Sequence, residues 1–191
     1  MKKTLALAVV FAAVPFAAPA AEISHTYVEA GVTRYDADAP DSVGGDMEFD
    51  GAFIRGSAAL SDSFYAFGGY TRATHDDFGF DLDVEEAEVG LGYNMPVGQR
   101  AELIAELGYV RQELDQFDYD GGRASAGIRG QLADRVEGWA KASYTDGDFS
   151  DGSFSTDVGA LVKLNATWGL VGEIEFSEDA NRYSAGIRAS F

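Results

Sequence analysis

Period-two alternation, carried to the last residue, is what most limits the folds open to this chain. From Arg182 to Phe191 the apolar Tyr183, Ala185, Ile187, Ala189 and Phe191 interleave with Arg182, Ser184, Gly186, Arg188 and Ser190. Successive side chains of a strand point to opposite faces, so this segment has one apolar and one polar face. A soluble sandwich can bury such an apolar face, and a membrane barrel can turn it toward lipid. Runs of the same kind occupy about 23–35, 47–60, 63–73, 84–95, 100–112, 119–132, 135–145, 154–165, 167–177 and 181–191. An even count returns both ends of the series to one side. Pro40 and Pro96 fall between the runs, and Pro15 and Pro19 lie upstream of all of them, so no proline interrupts a candidate strand.

The amino-terminal end separates the two architectures. Lys2 and Lys3 precede an apolar stretch from Leu5 to Ala17, followed by Ala18, Pro19 and Ala20. This is the pattern of a secretory signal cleaved after Ala20, which leaves 21–191 as one domain. The stretch is short for a membrane span and is interrupted by Pro15, and no later segment approaches the length of a transmembrane helix. A membrane protein made from the remainder must therefore cross with strands, because only helices and closed barrels satisfy every backbone group in lipid. Export joined to a lipid-compatible β pattern predicts the outer membrane of a Gram-negative bacterium. The expected fold is an all-β, transmembrane, antiparallel up-and-down barrel of ten strands, with eight as the alternative.

Charge and connections fit that expectation. The formal net charge is -18, which speaks against nucleic-acid binding, and the chain has no cysteine, so no disulfide framework is available. Short connections near Leu60–Ser63, Asn94–Gln99, Leu132–Asp134 and Asn165–Ala166 alternate with mostly longer, acidic ones. Tight periplasmic turns and long extracellular loops have this asymmetry.

The two faces of the strands carry different chemistry. Ala87, Val89, Leu91 and Tyr93, then Ala101 to Tyr109 in steps of two, then Trp168, Leu170, Gly172, Ile174 and Phe176 form outward faces free of charge. Tyr93, Trp168 and Phe191 are expected at the periplasmic boundary of the membrane, and Tyr109, Tyr144, Phe176 and Tyr183 at the outer one, as two aromatic girdles. The opposite parity carries Glu29, Arg55, Glu86, Glu88, Glu106, Arg123, Arg129, Lys141, Lys163, Glu173, Glu175, Arg182 and Arg188. Neighbouring strands thus offer opposite charges to one lumen, which predicts a networked and largely plugged interior. Glu106 and Arg129, on adjacent strands, are expected to share a network. An ion-selective pore is the alternative reading of the same charges. The third run has aromatics of both parities (Phe64, Tyr65, Phe67, Tyr70), and its orientation stays open.

A terminal Phe191 preceded by Tyr183, Ile187 and Ala189 at alternate positions also resembles the signal read by the β-barrel assembly machinery. Periplasmic chaperones are the expected carriers to it. The segments Thr26–Gly31, Phe67–Tyr70, Val89–Asn94, Gly127–Gly130 and Trp168–Gly172, with the Phe191 ending, resemble the small outer-membrane barrels once described as Ax-type quorum-sensing and plant-immunity factors. More broadly the chain is similar to OmpA- and OmpX-like barrels. That likeness implies an outer-membrane protein in contact with lipid and lipopolysaccharide, without established catalysis. It implies no signalling role.

Two chemical readings compete with plain solvated loops. His75 adjoins Asp76 and Asp77, an arrangement able to activate water at a barrel rim, but side chains adjacent in sequence diverge and His25 lies toward the opposite end. Asp146, Asp148 and Asp151 are spaced to touch a cation but depart from the EF-hand pattern and lack its closing Glu. No enzyme, resident cofactor or dedicated metal site is expected, only loosely held Ca²⁺ or Mg²⁺ at acidic loops. Phe78, Phe80, Phe117, Tyr119, Phe149 and Phe154 would supply apolar contacts there, so a structural or surface-interactive role is expected, with adhesion to a surface or partner, through a ligand the sequence does not name, as its leading specific form. A small-conductance porin is the rival, and a rim hydrolase the remote one.

Overall fold

In the computed structural model, residues 23–37, 47–75, 82–114, 117–147, 150–178 and 180–191 are described. The expected signal at 1–20 lies outside them, as do Asp76, Asp77, Phe78, Phe80, Asp148 and Phe149. Ten strands follow in chain order: β1 Tyr27–Ala37, β2 Met47–Ala59, β3 Phe64–His75, β4 Leu82–Val97, β5 Ala101–Leu114, β6 Phe117–Ala133, β7 Val136–Gly147, β8 Ser150–Lys163, β9 Trp168–Ser177 and β10 Ala180–Ser190. Each pairs antiparallel with its neighbours in sequence. β1 closes on β10 with Tyr27 opposite Ser190 and Ala37 opposite Ala180, giving one closed barrel. Closure leaves no strand edge unpaired, and the strand number is the favoured ten rather than the alternative eight.

Burial is inverted relative to a soluble domain. Val32, Val89, Leu91 and Leu107 are each about 60–70% exposed on the outer wall, whereas Glu29 and Glu137 are 1% exposed inside. Among the described residues a small buried apolar cluster joins Trp139, Leu161 and Val171. Such a wall is stable where lipid meets the outer face and polar groups pair within. β3 resolves by the same rule: Tyr65 is buried in the interior and Phe64 and Tyr70 face outward.

One end of the barrel has the tight turns. Leu60 and Ser61 N–H both donate to the Phe64 carbonyl at 2.7 and 3.0 Å. Gly98 supplies a positive φ of 75° between β4 and β5, and Asn165 Oδ1 accepts from the N–H groups of Thr167 and Trp168 at 2.9 and 2.8 Å. At the other end the expectation of long acidic loops needs correction for two hairpins. Leu114 is opposite Phe117 and Gly147 opposite Ser150, so much of the acidic sequence continues the ladder as paired strand. Beyond the apolar band both sheet faces meet water, and Asp and Glu cost nothing on a wet face. Arg111 steadies one such extension, 3.0 Å from both Glu113 and Asp118.

Candidate functional site

The interior is built by strand parity, which turns every second residue of ten strands toward one axis. Nine carboxylates point there among the described residues (Glu29, Glu86, Glu88, Glu102, Glu106, Glu137, Asp157, Glu173, Glu175) against seven cations (Arg55, Arg123, Arg129, Lys141, Lys163, Arg182, Arg188). Arg55 bridges Glu29 and Glu173, both at 2.6 Å, and Arg188 grips the other oxygen of Glu29 at 2.6 Å. Arg182 meets Glu86 at 3.2 Å and also bonds Glu175, and Arg123 meets Glu88 at 3.0 Å. Arg129 reaches Glu137 at 2.7 Å, and Lys163 shares that carboxylate. Lys141 and the Tyr65 hydroxyl hold Glu106 at 3.1 and 2.8 Å.

Several ties cross the lumen rather than following the sheet. Arg55 on β2 meets Glu173 on β9, and Arg182 on β10 meets Glu86 on β4. Between these side chains lies a cavity of about 150 Å³ lined by His25, Tyr65, Glu106, Trp139, Lys141 and Asp157 among others. Toward the outer end, Phe49, Ala73 and Val110 fill the interior with apolar groups.

The pairing differs from the expected one. Glu106 and Arg129 do not meet; Glu106 goes to Lys141 and Arg129 to Glu137. Cross-strand neighbours are set by register, which places Arg129 opposite Glu102 rather than Glu106. Glu102, Glu137 and Asp157 share parity with Glu106, Lys141 and Lys163, so parity alone could have placed them inside. Trp139 shares that parity too, but its bond to Glu173 could not be read from it, nor could the places of His25, ahead of β1, and Tyr65, on the strand whose sense the sequence leaves open. Trp139 Nε1–H donates to Glu173 at 2.8 Å.

On the outer wall Tyr93, Tyr109, Tyr144, Phe176 and Tyr183 are 37–49% exposed, Phe191 is 76% exposed, and Trp168 is partly covered. Phe64 and Phe154 join them, at 5.1 Å from Tyr93 and 4.8 Å from Tyr144 between ring centres. Tyr183, Ile187 and Phe191 lie on the exposed face of β10 with Ala189 between them. The Phe191 N–H donates to the Thr26 carbonyl at 2.9 Å.

Past the outer aromatics, outward charges begin. Arg34 bonds Asp50 at 2.8 Å, Arg72 bonds Asp83 at 2.8 Å, and Tyr70 donates to Glu85 at 2.6 Å. The hydrogen bond from Thr74, aided by Arg72, holds the Asp83 carboxyl below its ordinary range. His75 turns from solvent chemistry to packing: its Nδ1 is 2.6 Å from the Glu48 carbonyl and its ring lies 5.3 Å from that of Phe49. Among the described residues no three His, Asp or Glu side chains gather to hold a metal ion.

Known structures share this architecture. The KdgM porin in complex with disordered oligogalacturonate matches with a TM-score of 0.53 at 13% identity, covering 86% of this chain and 99% of its own. The translocator domain of the autotransporter NalP from Neisseria meningitidis matches with a TM-score of 0.51 at 10% identity, covering 87% and 88%. No curated protein matches the chain significantly. The family model for the outer membrane protein beta-barrel domain matches residues 4–188. The chain therefore belongs to the outer-membrane β-barrel family and sits in the outer membrane among its lipids.

Proposed function

We propose that the barrel is a closed membrane support whose extracellular hairpins make its functional contacts, as an adhesion or surface-interaction protein rather than a solute pore or an enzyme. The observation that carries this reading is the set of ion pairs spanning the lumen, such as Arg55 with Glu173 and Arg182 with Glu86. A cavity of about 150 Å³ has room for a few waters only, whereas a porin maintains a continuous aqueous channel. Apolar filling at Phe49, Ala73 and Val110 supports closure at the outer end. Catalysis has no comparable support, since His25 meets Glu102 in the periplasmic mouth and His75 packs on Phe49 at the other end.

Outside, the paired extensions expose Glu113, Asp118 and Asp120 beside Arg111, and Phe154, 64% exposed, adds an apolar contact. Such a rim favours cationic surfaces, or anionic lipopolysaccharide bridged by loosely held Ca²⁺ or Mg²⁺, and salt should weaken both. A cleaved signal at 1–20, periplasmic chaperones and the assembly machinery, reading Tyr183, Ile187, Ala189 and Phe191, complete the proposal. Planar-bilayer recording of the purified protein tests it. The expected trace has no discrete conductance steps, and neutralising Glu113, Asp118 and Asp120 together should reduce binding of protein-displaying cells to cationic surfaces. Unitary steps whose ion selectivity changes in Glu106→Gln would establish the small-channel rival instead.

A further inference from the structure

A groove of about 690 Å³ runs across the outer wall over β4–β8. Its floor is a row of directly opposed residues in which Ala105 faces Ala126, Ala126 faces Ala142 and Ala142 faces Thr156. Tyr93, opposite Ala105, and Phe176, opposite Thr156, close the row at its two ends. The rows on either side are bulkier: Leu103 and Ile128 stand toward the tight turns, Leu107 and Tyr144 toward the long hairpins. Leu103 follows the turn that ends at Arg100, and Ala140, also on the groove, follows the turn that ends at Arg135. Among the described residues every lysine and arginine meets a carboxylate except Arg100 and Arg135, both exposed. Their carbonyls accept from the Gln131 and Lys163 N–H groups, each at 2.7 Å, which fixes both turns on the rim. Asp134, beside Arg135, is the one acid on these two turns.

We propose that the groove binds one anionic glycerophospholipid of the periplasmic leaflet, with an acyl chain over Ala105, Ala126 and Ala142 and the phosphate between Arg100 and Arg135. The tight turns of an outer-membrane barrel face the periplasm, so both guanidiniums stand at the level of that leaflet's headgroups. Leu103 lies about 10 Å along the strand from Arg100, close enough for one lipid to touch both. Arginine pairs phosphate oxygens bidentately. Two guanidiniums against Asp134 alone leave a positive excess, which favours a headgroup of net negative charge. Width selects what fills the floor. The flanking rows are about 13 Å apart, four residues along a strand, and their side chains take up much of that span. A helix, about 10–12 Å across, would rest on the ridges, as would the convex wall of a second barrel, and either leaves the alanine floor without contacts. A single hydrocarbon chain enters and fills it.

Native mass spectrometry of the whole barrel, folded in detergent micelles, tests the site with phosphatidylglycerol and phosphatidylcholine of identical acyl chains. The parent should retain one phosphatidylglycerol, about fivefold more than phosphatidylcholine, and Arg100→Gln with Arg135→Gln should remove that preference. Ala126→Leu with Ala142→Leu fills the floor and should cut retention about tenfold. All four side chains are exposed on the outer wall or the turns, so circular dichroism should show an unchanged barrel. Equal retention of the two lipids by the parent, or full retention after the leucine changes, overturns the site. A dimer that forms in place of the lipid adduct and disappears in the leucine variant would assign the groove to a second copy and refute the lipid. Should the leucine variant fail to fold, the arginine variant decides alone, and an undiminished preference for phosphatidylglycerol there is fatal.

Discussion

At the residue scale, the interior is decided by its buried carboxylates and the cations they meet. Glu137 is 1% exposed and holds both Arg129 and Lys163. Glu137→Gln strands part of both cations and should cost about 3–5 kcal/mol in urea unfolding from vesicles. Changes at Glu106 and Lys141 should couple by about 1 kcal/mol or more in a double-mutant cycle, whereas Glu106 and Arg129 should be additive within about 0.5 kcal/mol. Coupling of the second pair alone would refute the assigned network. Glycines facing inward are equally specific. A Cβ at Gly159 would lie 2.2 Å from the Trp139 ring, so Gly159→Ala must displace Trp139 from Glu173. The expected loss is about 1–3 kcal/mol, with a shift in tryptophan emission as its signature; an unshifted spectrum would contradict the placement of that ring. Parity made the interior charges legible from residue order, but it could not say which acid meets which base. That depends on register and on distances across a lumen that links residues more than a hundred positions apart.

At the element scale, the strands outgrow their periodic signal wherever both faces are wet. β4 begins at Leu82 and β6 at Phe117, inside stretches that read as acidic loops. Period-two hydrophobicity disappears there because no lipid selects one face, yet the ladder continues through backbone bonds and cross-strand pairs. The β3–β4 extension depends on Asp83, held by Thr74 at 2.6 Å and Arg72 at 2.8 Å. Its carboxyl is depressed in the folded hairpin, so its contribution is complete above the ordinary carboxylate range and disappears as pH falls through the depressed value. Protection of the Thr74 and Asp83 amides, taken relative to the intrinsic exchange rate at each pH, should therefore fall in strong acid, and Asp83→Asn should show the low protection already at neutral pH. Acid-insensitive protection would remove the assigned role. Topology has its own check: a protease site inserted at residues 115–116 should be cut from outside intact cells, and one at Gly98 should be protected.

At the scale of the whole molecule, β10 closes the barrel, and Phe191 follows it directly. Its ladder with β1 runs from Tyr27–Ser190 to Ala37–Ala180, so removing Phe191 deletes one exposed aromatic and one terminal bond to Thr26. That should cost only a few kcal/mol, about the worth of one side chain. The Phe191 deletion is thus expected to refold in detergent but to accumulate and be degraded in the periplasm of cells. Normal outer-membrane yield would sink the recognition role of the terminal strand.

Sequence alone indicated the barrel, favoured ten strands over eight, and supplied the outer-membrane location and the inward or outward sense of most side chains, because lipid on one face and a polar lumen on the other impose a period of two on every membrane strand. The sense of β3 escaped it, since aromatics stand on both of its faces and both environments accept them. Only tertiary structure decided that Glu106 belongs to Lys141, that Arg55 crosses to Glu173, and that His25 folds back onto Tyr65 and Glu102. These contacts arise after closure brings distant strands around a common axis, and a local period carries no information about what lies across it.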